Sequence, residues 1–361
     1  MTVEALNAVC PYYTMYPLAF PLRVLGRQGR RGEWVFDPFC GRGTTNFAAR
    51  LLGMPSFGAD SSPVAVALAQ AKMVYAKPEE VVALARTILR GRATPAVPVG
   101  DFWEWAFHRD TLVDVCRLRD FLLKSSPTPT SILLRAIILG ALHGPQAKGG
   151  HSYFSNQAPR TFAPKPRYAV NYWRSRDMRP KKVDALTVIS ARAKRYLEVR
   201  PPDVEGSVVV ADSRDENTFE GVAPAAWVIT SPPYYGMRTY IPDQWMRSWF
   251  MGGADHVEYC QPATQLEHSG ASHFSSQLAL VWKNVARRST DRTRLVVRFG
   301  GIHDRSAEPM EVLRHSLVSS GWRVTTTRAV PDADTGRRQV RQFRVSPQKG
   351  VAEHDVYCRL A

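Results

Sequence analysis

The chain has 361 residues, with 48 Lys+Arg against 32 Asp+Glu, a formal net charge of +16 and a pI near 9.9. Hydrophobic residues at 44% and charged residues at 22% are those of an ordinary globular protein, which sets aside disordered and fibrous classes. No apolar run reaches membrane-spanning length, no secretory pattern opens the chain, and the arginine-dominated excess fits a polyanionic partner.

In chain order, an aromatic and proline-rich stretch over 5–25 reads as a loop entering a short helix before the first strand, Glu33-Trp34-Val35-Phe36. That strand runs into Asp37-Pro38-Phe39-Cys40-Gly41-Arg42-Gly43-Thr44-Thr45 and then a helix of small apolar residues. Strand, glycine turn and helix make the first unit of a nucleotide-type site: the glycines allow a tight turn and a close backbone approach, and the free N–H groups of the new helix face the ligand. A second strand, Ser56 to Asp60, also ends in an acid, placed to accept from ribose hydroxyls, with Ser61 beside it. Helix capping by Asp60, Ser61 and Ser62 is the alternative reading.

Residues 77–205 break the sheet rhythm with helical patterns at 79–91, 101–123 and 130–142 and an aromatic cluster at Trp103, Trp105 and Phe107. From 143 to 182 a long irregular loop interleaves cations with aromatics, prolines and amides, which reads as a nucleic-acid contact region. Lys148, Asn156, Arg160, Lys165, Arg167, Arg174 and Arg176 are its candidate contacts, joined by Arg238, Arg338 and Arg341 farther on. His143 and His151 have no third ligand at useful spacing, and the five scattered cysteines have no zinc spacing, so no metal site is expected and the thiols read as reduced, as in the cytosol.

The sheet resumes at Ser207–Arg214, where Asp212 and Ser213 close another buried strand and Asp212 is placed to accept from an adenine amine. Next, the apolar run Ala225–Ile229 meets Thr230-Ser231-Pro232-Pro233-Tyr234, where two prolines end the strand and stiffen a corner at its carboxyl end. Ser231 Oγ and the Pro232 carbonyl can each accept from an exocyclic NH2, freeing its lone pair for attack, and Tyr234 can stack on an extruded base. The remaining elements are a helix near 274–288, a strand at 294–299, a helix at 308–320 and an alternating strand pair enclosing an arginine-rich hairpin, an antiparallel edge.

Together the Asp-Pro-Phe-x-Gly-x-Gly turn and the Ser-Pro-Pro-Tyr corner resemble the amino-methylating DNA methyltransferases, the N4-cytosine and N6-adenine family, over roughly 10–76 and 205–330. The resemblance implies an α/β Rossmann-like methyltransferase sheet, mostly parallel with an antiparallel edge hairpin, carrying a largely helical, basic insertion. It divides the chain into 1–76 (cofactor loop), 77–205 (target recognition) and 206–361 (catalytic part). The implied cofactor is S-adenosyl-L-methionine, held by Tyr16, Asp37, Phe39, Gly41, Gly43, Thr44, Thr45, Asp60, Ser61, Asp212 and Ser213. Ser231, Pro232, Pro233 and Tyr234 match the catalytic tetrapeptide. The implied partner is duplex DNA, with a separately acting restriction endonuclease and a bacterial cytosolic setting. Ser at the first position of the corner favours cytosine; adenine, an RNA amine and a non-catalytic DNA-binding protein stay open.

Overall fold

The computed structural model describes residues 2–11, 16–91, 94–144, 152–155, 165–235, 241–259, 263–300, 308–330 and 353–361. The chain separates into two compact units: Met1–Pro11, Val74–Arg200 and Tyr240–Cys260 form one; Tyr12–Met73, Pro201–Thr239 and Gln261–Ala361 form the other. The boundaries read from sequence assign residues 1–11 and 240–260 to the sheet instead.

The second unit is built on one seven-stranded sheet: β1 (Val35–Asp37), β2 (Ser56–Asp60), β3 (Gly206–Val210), β4 (Ala225–Thr230), β5 (Ser289–Gly300), β6 (Trp322–Ala329) and β7 (Glu353–Leu360), in the order β3-β2-β1-β4-β5-β7-β6. β3 through β5 are parallel, and β7 enters antiparallel to both β5 and β6. This is the mostly parallel, Rossmann-like sheet that the sequence led us to expect, with its antiparallel edge. β1 is buried throughout and β4 nearly so, the pattern of strands covered on both faces.

One face is covered by α1 (Ala19–Gln28), whose Phe20, Val24 and Leu25 pack with Val35, Trp227, Ile229 and Val296. Across the sheet, Phe36, Phe57 and Phe219 pack together, and Trp282 of α11 (Ala271–Ala286) and Leu313 of α12 (Pro309–Val318) belong to the same cluster. α2 (Thr44–Leu51) follows the glycine turn, and α3 (Pro63–Gln70) starts with proline at its first turn and with the Ser62 hydroxyl accepting from the Ala65 N–H at 3.3 Å.

The first unit is helical: α4 (Pro78–Leu89), α5 (Asp101–Ala106), α6 (Arg109–Lys124), α7 (Pro129–Ala141), α8 (Pro166–Arg174), α9 (Ala185–Leu197) and α10 (Ile241–Phe250). The aromatic cluster read near 103–107 is its core, where Trp103 meets Trp249 at 4.5 Å and Phe102 meets Trp245 at 4.9 Å. Two expectations change here. The pattern over 101–123 is two helices, because Phe107 is extended and the His108 ring accepts from the Asp110 N–H, which starts α6. The segment read as irregular over 143–182 contains α8, whose Ala169, Val170 and Trp173 are buried. Among the described residues no helix is long and apolar enough to cross a membrane.

Candidate active site

Parallel pairing decides where the site lies. The register sets Asp37 beside Gly58 and Asp60 beside Val210, so Asp37, Asp60, Asp212 and Ser231 all fall at or just past the carboxyl ends of adjacent strands. At roughly 4.8 Å per strand spacing, this row spans about 14 Å. Open α/β sheets bind ligands at that edge.

The glycine turn is held from both sides. Gly41 and Gly43 have φ of +50° and +75°, the left-handed region that glycine enters without strain. A Cβ on Gly43 would lie 2.7 Å from Ala69 Cβ, whereas one on Gly41 would meet nothing within 4 Å. Gly43 therefore serves helix packing, and Gly41 keeps open space in front of the turn. Gly43→Ala is expected to cost about 2–4 kcal/mol through strain and overpacking. Gly41→Ala should cost only about 1 kcal/mol yet weaken ligand binding. Urea unfolding and cofactor titration of both variants would check the contrast.

Asp60 ties this turn to the next strand: its carboxylate accepts from the Gly41 N–H at 2.9 Å and from the Ser62 N–H at 2.9 Å. The Ser62 N–H precedes α3, so this bond is not a helix cap, and each carboxylate oxygen keeps lone-pair capacity for a further donor. Burial pushes this carboxyl above its ordinary value. Ser62, not Ser61, supplies the helix cap.

Asp37 is the buried centre of the site. Its Oδ1 accepts from the Thr230 hydroxyl at 2.6 Å and the Phe39 N–H at 3.1 Å, and its Oδ2 accepts from the Tyr16 hydroxyl at 3.0 Å. The Thr45 hydroxyl contacts that of Tyr16 and donates to the Ile229 carbonyl at 3.1 Å. One fully buried carboxylate thereby joins the glycine turn, the start of α2 and the last residue of β4, immediately before Ser231. Burial pushes Asp37 from 3.8 up to about 6, against the downward pull of its hydrogen bonds from Thr230, Thr45, Phe39 and Tyr16. The folded state then holds this proton more tightly than the unfolded chain. The stability from this group is complete below about pH 4 and is lost as pH rises to about 6, roughly 3 kcal/mol in all. Asp37→Asn should flatten that part of the stability profile, measured by urea midpoints from pH 4 to 7.

The corner itself departs in part from expectation. Ser231 is half-buried and Pro233 exposed at the strand end. Tyr234 is only 7% exposed; its ring meets Phe299 edge-on at 5.3 Å and its hydroxyl donates to Glu353 of β7. In this conformation the ring is a packed support for the corner, not an open stacking platform, because the sheet's own core takes it in. Asp212 also differs: both its oxygens are taken by Arg214, whose Nη2 lies 2.6 Å from Oδ2, while Arg214 reaches Gln277 as well. Partial burial raises the Asp212 carboxyl, but the Arg214 contacts outweigh it and hold it below the usual range. The Ser213 hydroxyl donates to the Pro38 carbonyl at 2.6 Å, bracing the turn. Phe39, half-buried, packs edge-on to Trp282 at 6.1 Å, and Thr44 is buried at the helix start.

Sequence reading missed Thr230, Glu353 and Arg214. Arg214, two residues past the strand-end acid, was within reach of a charge argument; Glu353 lies 119 positions from its tyrosine and had no local signal. Of the nucleic-acid candidates, Lys165, Arg167, Arg174 and Arg176 lie on or beside α8 in the helical unit. Arg174 donates to Asp101 at 3.0 Å and Arg176 lies over the Tyr172 ring at 4.1 Å, exposed contacts of small worth that a phosphate can displace. Lys148, Asn156, Arg160, Arg238, Arg338 and Arg341 lie outside the described residues. Among the described residues, Cys10, Cys40, Cys116 and Cys358 are buried.

Residues 6–71, the stretch containing the glycine turn and Asp60, match the family model described as DNA methylase, N6_N4_Mtase. No curated protein matches the chain. Among solved structures, the rRNA methyltransferase aviRa from Streptomyces viridochromogenes is 14% identical over 99% of this chain and 93% of its own, with a TM-score of 0.37. A TehB-like SAM-dependent methyltransferase from Corynebacterium glutamicum is 8% identical over 94% and 87%, with a TM-score of 0.34. The magnesium protoporphyrin IX methyltransferase (ChlM) from Synechocystis PCC 6803, solved with bound SAM, is 10% identical over 95% and 78%, with a TM-score of 0.35.

Proposed function

We propose that the protein is an S-adenosylmethionine-dependent amino-methyltransferase that modifies the exocyclic N4 amine of a cytosine turned out of duplex DNA. The observation that carries this reading is the 2.6 Å bond from Thr230 to Asp37, which fixes the amine-accepting corner to the glycine turn. The open space before Gly41, the half-buried Asp60 and the free N–H groups of α2 suit the cofactor. Gly41, Gly43, Asp60 and Ser61 would hold it, with Phe39 and Thr44 beside them and with Asp37, Tyr16, Thr45, Asp212 and Ser213 keeping that edge in shape. Bound there, S-adenosylmethionine supplies an electrophilic methyl group.

The chain's own part is positioning. Ser231 Oγ and the Pro232 carbonyl each accept one amine hydrogen, which turns the nitrogen lone pair out of conjugation with the ring. The double proline keeps the carbonyl in place, and Asp37 keeps Thr230 from rotating. No strong base is required, because the proton leaves after the nitrogen has become cationic; most of the rate comes from alignment. Tyr234 supports the corner from the core, and α8 with its cations serves the DNA backbone.

Serine at the first position favours cytosine; the corner accepts an adenine N6 amine by the same two bonds. Calorimetric titration with S-adenosylmethionine, followed by transfer of labelled methyl to duplex DNA and to RNA, tests the proposal. Cofactor binding with label in DNA supports it; label in RNA alone overturns the substrate, and no cofactor binding overturns the enzyme.

A further inference from the structure

A second charged concavity lies on the face of the sheet that carries α1, apart from the site above. It is a cleft of about 470 Å³ between α1 and strands β4, β5, β7 and β6. Five arginines line it, Arg23, Arg27, Arg294, Arg328 and Arg359, against one carboxylate, Asp355. That carboxylate is already committed to the buried Arg298, at 2.7 Å, with Arg23 at 3.6 Å. Arg27, Arg294, Arg328 and Arg359 have no ion-pair partner among the described residues.

The pairing register orders these charges. Arg294 sits opposite Arg359, and Asp355 sits between Arg298 and Arg328 four residues along the strands, so the cationic row spans about 13 Å at roughly 3.3 Å per residue. Arg23 and Arg27 stand one helical turn apart on α1 and so share a face. Aromatic rings are present but used: Arg294 covers Trp227 at 4.8 Å and Arg328 covers Tyr357 at 5.0 Å. The cleft therefore offers guanidinium groups, of which Arg294 already donates to Gln28 and Arg359 to the Arg292 carbonyl, together with the exposed hydroxyl of Thr326, and no free ring on which a base could stack.

We infer that this cleft is a second, sequence-independent contact for the phosphodiester backbone of duplex DNA. Guanidinium forks match phosphate oxygens bidentately, and a row of about 13 Å spans about four phosphates at a rise of 3.4 Å per nucleotide. Clustered like charges repel one another, and a polyanion relieves that repulsion. Duplex DNA, rather than another polyanion, is favoured by the DNA methylase match at residues 6–71. This choice rests on the substrate proposed above; the phosphate chemistry of the cleft does not.

The test uses the full-length protein with Arg27→Glu and Arg328→Glu combined, both at exposed positions. Affinity for a 30-base-pair duplex of arbitrary sequence (length chosen at roughly three helical turns) is followed by anisotropy across salt concentrations. Losing two phosphate contacts should lower the slope of log K against log salt by about 1.8, equally for unrelated sequences, with S-adenosylmethionine affinity and thermal midpoint unchanged. An unchanged slope overturns the inference. A loss seen with single-stranded RNA and not with the duplex overturns the choice of DNA. Cofactor titration is read separately, so failure of the methyltransferase reading and failure of the cleft give different results.

Discussion

Replacing Ser231 with alanine is expected to lower kcat for amine methylation by about 100-fold, the scale of a lost alignment in a positioned reaction. The affinity for S-adenosylmethionine should stay the same, because Ser231 follows β4 while the turn proposed to hold the cofactor follows β1. The fold should be intact as well: Ser231 is half-buried, and its hydroxyl is not among the side chains bonded to Asp37. Single-turnover rates with saturating DNA, set beside calorimetric cofactor titration, separate the two effects. A variant that methylates at the parental rate removes Ser231 from the chemistry and leaves the Pro232 carbonyl as the acceptor. A variant that loses cofactor binding shows instead that the corner and the turn act as one cofactor pocket.

Asp355→Ala is expected to have the largest effect on stability. Arg298 is fully buried in β5 and forms two hydrogen bonds to Asp355, its direct neighbour in β7, at 2.7 Å and 3.0 Å. The same guanidinium lies 3.8 Å over the Phe20 ring of α1. Removing the carboxylate leaves a buried cation without its main counter-charge, which costs about 3–5 kcal/mol. Replacing both partners by apolar residues of similar volume should cost much less, because no charge is then stranded. Urea unfolding of the single variants and of an Arg298→Met, Asp355→Leu double variant gives the comparison. A single-variant loss under about 1 kcal/mol would mean that water already solvates the Arg298 guanidinium.

The parts of the site that sequence revealed are those with short-range signals. Strand β1, its terminal Asp37 and the two glycines lie within nine residues, and each has a backbone reason to be where it is. Ser231-Pro232-Pro233 announces a strand end because proline cannot donate to a ladder. The antiparallel edge was legible from two alternating segments near the C-terminus, and β6 and β7 are that pair. What stayed hidden depends on distant pairing. Tyr234 looked like an exposed aromatic until β7 brought Glu353 to its hydroxyl. Asp212 looked like a free acceptor although Arg214, only two residues on, folds back onto it, a local pair that a charge argument could have found. The basic stretch before 182 looked irregular because α8 buries only Ala169, Val170 and Trp173 among charged and polar neighbours. Its proline at the first turn and the one-face spacing of Ala169, Val170 and Trp173 were the helix signals on offer.

The most direct test of the account is the product itself. Purified protein is incubated with labelled S-adenosylmethionine and mixed genomic DNA, and the DNA is digested to nucleosides for mass spectrometry. The account predicts label in N4-methylcytosine, abolished in Ser231→Ala. Label in N6-methyladenine would keep the corner's two-bond mechanism and contradict the choice of base. No methylated nucleoside, from a protein that binds the cofactor, would contradict the account.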